Sequence, residues 1–175
     1  KALDQYDCVI YVASFWTVLY QSLRLSFVVL PDCMVNIGAL GKSYLERHLP
    51  LLEQLALIDF INDGHLEKHL KTTQKALAQR RQSLVLAITR YLKDLIEPLT
   101  DGGGTHFILN FLPEVSDQTI EQAAHKSGFN LMSTKPYYAS ATKNGQYIVP
   151  FASVDQSTID NVVKTFATEL KNHSG

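Results

Sequence analysis

After Lys1 the chain has no lysine until Lys42, so nothing in between can offer a side-chain amine to a carbonyl. Cysteine is scarce as well. The two that exist, Cys8 and Cys33, are too few for a disulfide scaffold, and both lie in apolar runs, where buried thiols in a reducing cytoplasm are the expectation. Charge is low and balanced, with 16 basic and 17 acidic side chains and a net charge of -1. That composition lacks the basic footprint of a nucleic-acid surface, so any DNA contact is expected outside this chain. Long apolar runs are missing too: the longest, Val9 to Tyr20, is broken by Ser14 and Thr17 and is too short to span a bilayer. The start, Lys1-Ala2-Leu3-Asp4-Gln5, lacks the charged-then-apolar order of a secretory signal. A cytoplasmic protein without a membrane partner is expected. What is present is ordinary globular material: 175 residues, 46% of them hydrophobic. A chain of this size typically buries roughly 70% of its unfolded surface.

The β-branched run Cys8–Ala13 and the run Leu23–Leu30 read as strands buried on both faces, as in a parallel sheet. Pro31 ends the second, and Asp32 opens a helix expected to reach His48 despite Gly38 and Gly41. Pro50 suits the first turn of another helix, which Asp63-Gly64 breaks. From His65 to Leu95 apolar residues recur at helical spacing, among them Leu66, Leu70, Leu77, Leu84, Ile88 and Leu92, predicting one long helix with a solvated face of Lys68, Lys71, Lys75, Arg80 and Arg81. Asp101-Gly102-Gly103-Gly104 marks a boundary. It is no phosphate loop, having neither a preceding strand nor a following lysine–hydroxyl pair. Beyond it the pattern predicts a strand at 105–112, a helix at 116–126 capped by Ser116, strands at 129–133 and 146–151, and a final helix at 157–171. The expected organisation is therefore 1–64, a connecting helix 65–100, and a small α+β domain 101–175. His65 and His69 stand at i and i+4, but Glu67 is adjacent to neither, so the zinc-protease pattern fails and no metal site is expected.

The segment Ser14-Phe15-Trp16-Thr17-Val18-Leu19-Tyr20-Gln21-Ser22-Leu23-Arg24-Leu25 resembles the cofactor-lysine segment of the fold-type I pyridoxal-phosphate enzymes. It is most similar to that of the MocR-type regulators of the GntR superfamily, whose pattern is Thr-Phe-Ser-Lys, a hydrophobic stretch, then Ser-Leu-Arg-Leu-Gly-Tyr. Further stretches resemble the same family in the same order. These are Val28-Val29-Leu30-Pro31, Leu51 to Phe60, Gly64-His65-Leu66-Glu67-Lys68-His69-Leu70, Gln79-Arg80-Arg81, and Tyr147-Ile148-Val149-Pro150-Phe151-Ala152.

The resemblance implies an α/β fold: the C-terminal part of a fold-type I PLP-transferase large domain, a long connecting helix and an α+β small domain. It covers the C-terminal half of the aminotransferase-like effector domain, with a winged-helix DNA-binding module expected upstream. In the family the lysine forms the Schiff base with pyridoxal phosphate, and the arginine helps hold its phosphate. Here Arg24 is present and Thr17 stands at the lysine position, so the resemblance implies a degenerate phosphate site of Arg24 and Ser14, with the cofactor lost and no enzyme activity. Trp16, Ser26 and Pro150 also depart from small residues in the pattern. Lys135, Tyr137 and Tyr138 lie in a loop near which the family contacts its ligand's carboxylate. They are the candidate ligand residues for a small anionic effector, and a homo-oligomer is the expected assembly. The alternative is a fragment of a PLP-dependent aminotransferase, from which the lysine position separates it.

Overall fold

The structure is a computed structural model, and it describes residues 3–20, 22–45, 50–99, 104–140, 143–152 and 154–172. The chain divides into two compact units, Lys1–Lys71 and Thr72–Gly175.

In the first unit, β1 (Tyr11–Ser14) and β2 (Ser26–Val29) form a two-stranded ladder. They are antiparallel, in register from Tyr11↔Val29 to Ser14↔Ser26. The expected parallel sheet with both faces buried is thus corrected. A 3-10 turn, Phe15–Thr17, reverses the chain within reach of its own partner strand, and the Phe15 N–H donates to the Leu25 carbonyl at 3.0 Å. This connection is too short for the crossover that parallel strands require. The strand residues are largely exposed, and so are Cys8 and Cys33. The expectation of buried thiols fails with the sheet: two strands offer no layer to close over them. Helix α1 (Val35–Leu45) follows a 3-10 turn at Asp32–Met34 whose first N–H, on Asp32, donates to the Asp7 carboxylate at 2.7 Å. His48, the expected helix end, lies outside the described residues. Helix α2 (Leu51–Asn62) takes Pro50 as its N-cap rather than in its first turn, and Gly64 at φ 73° turns the chain out of it.

The two glycines of α1 look alike in sequence and differ in space. A Cβ on Gly38 would sit 2.3 Å from Leu30 Cδ1, whereas one on Gly41 would meet nothing within 4 Å. Gly41→Ala should therefore return the helix-propensity difference, about 0.5–1 kcal/mol, read as slower hydrogen exchange of α1 amides. Gly38→Ala should give a smaller gain or a loss, because Leu30 must move.

The long helix α3 (His65–Tyr91) runs from the first unit into the second. It ends sooner than the predicted Leu95, because residues 92–95 form turns. The second unit holds a three-stranded antiparallel sheet, in the order β3 (His106–Asn110), β5 (Gln146–Pro150), β4 (Met132–Ser133). Of the strand expected at 129–133, only the last two residues pair, and Phe129 is spent on the core. Alternation along β3 and β5 buries Phe107, Leu109, Tyr147 and Val149. Against that face pack α4 (Asp117–Ser127), α5 (Ile159–Asn172) and the later turns of α3, through Ile120, Phe166, Leu84 and Ile88. Ser116 caps α4, accepting from the Thr119 N–H at 3.2 Å, and Gly128 at φ 70° ends it.

Candidate functional site

The residues picked out around position 17 are held by the β1–β2 ladder. Ser14 closes β1, so its side chain meets Ser26 across the register: Ser26 Oγ donates to Ser14 Oγ at 3.0 Å, and Ser14 Oγ donates to the Leu25 carbonyl at 3.2 Å. Thr17 closes the 3-10 turn, and its hydroxyl donates back to the Ser14 carbonyl at 2.8 Å. Helix α3 reaches this turn through His69, whose Nε2 lies 2.8 Å from the Val18 carbonyl. Thr17 therefore completes a local turn with a neutral hydroxyl. Trp16 beside it is half exposed.

Arg24 is exposed, and among the described residues it pairs with no carboxylate. It borders a concavity of about 410 Å³ with Lys42 from α1 and Gln54 from α2, walled by Phe15, Leu57, Ile58 and Ile61. The sequence reading singled out Arg24 and Ser14 but not Lys42 or Gln54. Nothing in their local sequence marks them, since only the packing of α1 and α2 beside β2 brings them to Arg24. A second concavity, about 500 Å³ and mostly apolar with Glu53 among its lining residues, opens between Leu19, Tyr20, Leu23 and the α2 residues Leu52, Ala56 and Phe60.

Lys135, Tyr137 and Tyr138 lie together in the second unit, on and just after a 3-10 turn (Lys135–Tyr137). Their surroundings differ from one another. Lys135 Nζ is 2.6 Å from Asp117 Oδ2, so a ligand carboxylate at Lys135 would have to displace one the chain already supplies. Tyr138 donates to Gln146 Oε1 at 2.6 Å, and Tyr137 is exposed at 73%. Asp117, which the sequence presents as an ordinary first-turn acid, is the hub of this region. Its Oδ1 also accepts from the Gly145 N–H at 2.8 Å and the Tyr147 hydroxyl at 2.9 Å. Burial alone would raise the Asp117 carboxyl, but the hydrogen bonds from Lys135, Gly145 and Tyr147, with the Lys135 charge, outweigh it and hold the group below its ordinary value. Tyr147 is pushed far up by burial first, then by its hydrogen bond to Asp117 and by the Asp117 and Glu121 charges. It stays a neutral donor.

Among the described residues no group of three or more His, Cys, Asp or Glu side chains is arranged to hold a metal ion, and no helix is long and apolar enough to cross a membrane.

No protein-family model matches the chain. It is similar to the probable rhizopine catabolism regulatory protein MocR of Rhizobium meliloti, 28% identical over 91% of this chain and 32% of that protein. It is likewise similar to the HTH-type transcriptional regulator YhdI of Bacillus subtilis, 28% identical over 91% of this chain and 34% of that protein. The chain thus spans about a third of the length of these relatives. Among solved structures it resembles the kynurenine aminotransferase of Pyrococcus horikoshii, with a TM-score of 0.82 and 21% identity, covering 98% of this chain and 43% of that one. By sequence the chain is similar to MocR- and HTH-type regulators over nine-tenths of its length, and its fold matches the C-terminal part of fold-type I aminotransferase structures.

Proposed function

We propose that this chain is the C-terminal part of the effector and dimerisation region of an HTH-type transcription regulator, working without covalent pyridoxal-phosphate chemistry. The observation that carries the reading is Thr17. It stands where the family pattern has its lysine, and its hydroxyl is committed to the Ser14 carbonyl. A hydroxyl cannot form an imine, and the nearest lysines in sequence are Lys1 and Lys42. The residues here do not fit a lysine-held aldehyde cofactor, so no chemical step is assigned to one. Arg24, which matches the family's phosphate-holding arginine, makes no ion pair among the described residues, which supports a sensing role for a small anion rather than catalysis. Tyr137, exposed on its turn, is the aromatic of the second unit best placed to meet a ligand. DNA contact belongs to an HTH module outside this chain, as in the named relatives, and the assembly is a homo-oligomer in the cytoplasm.

The fold is equally that of aminotransferases, so the decisive experiment is chemical. Incubation with pyridoxal phosphate, borohydride reduction and intact-mass measurement should give at most scattered, substoichiometric labelling of surface lysines. One adduct per chain, localised to a single lysine, would defeat the proposal.

A further inference from the structure

We infer that the concavity beside Arg24 is a binding site for an organic carboxylate with an apolar or aromatic body, gripped by two cations, Arg24 and Lys42. The inference rests on the reading above, because a lysine-held cofactor would claim Arg24 for its phosphate.

Three observations carry it. The first is charge without compensation. Arg24 and Lys42 border the same concavity, no Asp or Glu lines it, and among the described residues neither cation makes an ion pair or hydrogen bond. Two like charges facing one cleft repel, and an anion between them relieves that repulsion. The second is donor geometry. A guanidinium matches a carboxylate with two parallel N–H donors, and an ammonium adds a compact point charge. The Gln54 amide can supply a further N–H. Ser26 cannot, because its one hydroxyl proton already goes to Ser14 Oγ. The third is the wall. Phe15, Leu25, Leu57, Ile58 and Ile61 form the apolar part of a space of about 410 Å³, with Ser26 at its edge. That volume, with an apolar wall beside a few convergent polar groups, falls in the range of small-molecule sites. An inorganic phosphate would satisfy the cations and leave the apolar wall wet. A carboxylate carrying a ring or branched chain uses both.

The test titrates the full chain with 3-phenylpropionate and, separately, with inorganic phosphate, followed by calorimetry or ligand-observed NMR. The phenylpropionate is expected to bind the more tightly. Arg24→Gln should weaken it by roughly ten- to a hundredfold, the loss of a charge-assisted bidentate contact, and Lys42→Gln by about five- to tenfold. Both side chains are exposed, so neither change should disturb folding, which circular dichroism verifies. Ile58→Ser, at a half-exposed wall position, should weaken phenylpropionate severalfold and leave phosphate unchanged. The inference is overturned if phenylpropionate fails to bind, if phosphate binds as tightly, or if Lys42→Gln has no effect. Those results leave the borohydride outcome untouched. A single stoichiometric lysine adduct would instead remove the functional reading whatever the titration shows.

Discussion

Limited proteolysis of the 175-residue chain is expected to cut first within residues 3–71 and to leave a resistant C-terminal fragment that begins in α3. The two units differ in what they bury. In the first, the buried hydrophobics among the described residues are Leu23 and Leu25; every other one belongs to the second unit. The first unit also carries most of the exposed large apolar side chains, including Leu52 at 80% and Ile37 at 71%. With two buried leucines against the contiguous core of the second unit, the first unit should open at the lower free energy and expose its backbone to protease and exchange first. The second unit closes Phe166 against Phe111 and Phe129, at 6.0 and 5.0 Å between ring centroids, inside a contiguous core.

The same imbalance predicts association. A two-stranded sheet with Val12 and Val28 exposed on one face and Tyr11, Phe27 and Val29 on the other offers both faces and, among the described residues, unpaired edges to another chain. At micromolar concentration the chain should bind a hydrophobic dye strongly and sediment above its monomer mass of 19.6 kDa. Equal exchange protection across both units, together with a clean monomer, would contradict the argument.

How much of this was readable in the sequence follows from where each signal resides. The second unit was legible almost element by element because its cues are local: the apolar runs at 105–112 and 146–151, and the Ser116 cap that opens α4. Its boundaries moved by a residue or two at ends that fray, except β4, which begins at Met132 where 129 was expected. The first unit was misread where the cue was burial. Cys8–Ala13 and Leu23–Leu30 carry the continuous apolar composition of strands closed on both faces, and composition cannot tell whether the covering layers are present. It also does not encode direction, so parallel was inferred where the short turn at Phe15–Thr17 makes the pair antiparallel. At the site, Arg24, Ser14 and Thr17 could be found because they share one short segment. Lys42 and Gln54 reach Arg24 only through helix packing, and Asp117 joins Lys135, Gly145 and Tyr147 across contacts that no sequence spacing announces.

Asp117→Ala should destabilise the second unit by about 2–4 kcal/mol, and its effect should depend on pH. The carboxylate makes three contacts to two other pieces of chain: the Lys135 turn, and the β5 segment through the Gly145 N–H ahead of it and the Tyr147 hydroxyl in the core. Each charge-assisted hydrogen bond contributes roughly 1.5–3 kcal/mol, less what water returns to the freed partners. Lys135 is partly exposed and regains much of its loss. Tyr147 is 2% exposed and keeps only Glu121 Oε1 at 3.3 Å, so its hydroxyl is left poorly satisfied. Asp117→Asn should cost less than Ala, because an amide oxygen can still accept from Gly145 and Tyr147, but its N–H2 then faces the Lys135 ammonium. The sign of the pH effect follows from the lowered Asp117 value. A carboxyl that is more acidic folded than unfolded adds stability that is fully present above the ordinary aspartate value, about pH 4. That stability is lost as pH falls through the lower folded value. Wild type should therefore lose stability on acidification below about pH 4 more steeply than Asp117→Asn, and the two melting curves should converge toward low pH. Parallel curves for wild type and Asp117→Asn would show that Lys135, Gly145 and Tyr147 do not hold the carboxylate ionised. They would also remove the reason for treating Asp117 as the clasp of the loop that presents Tyr137.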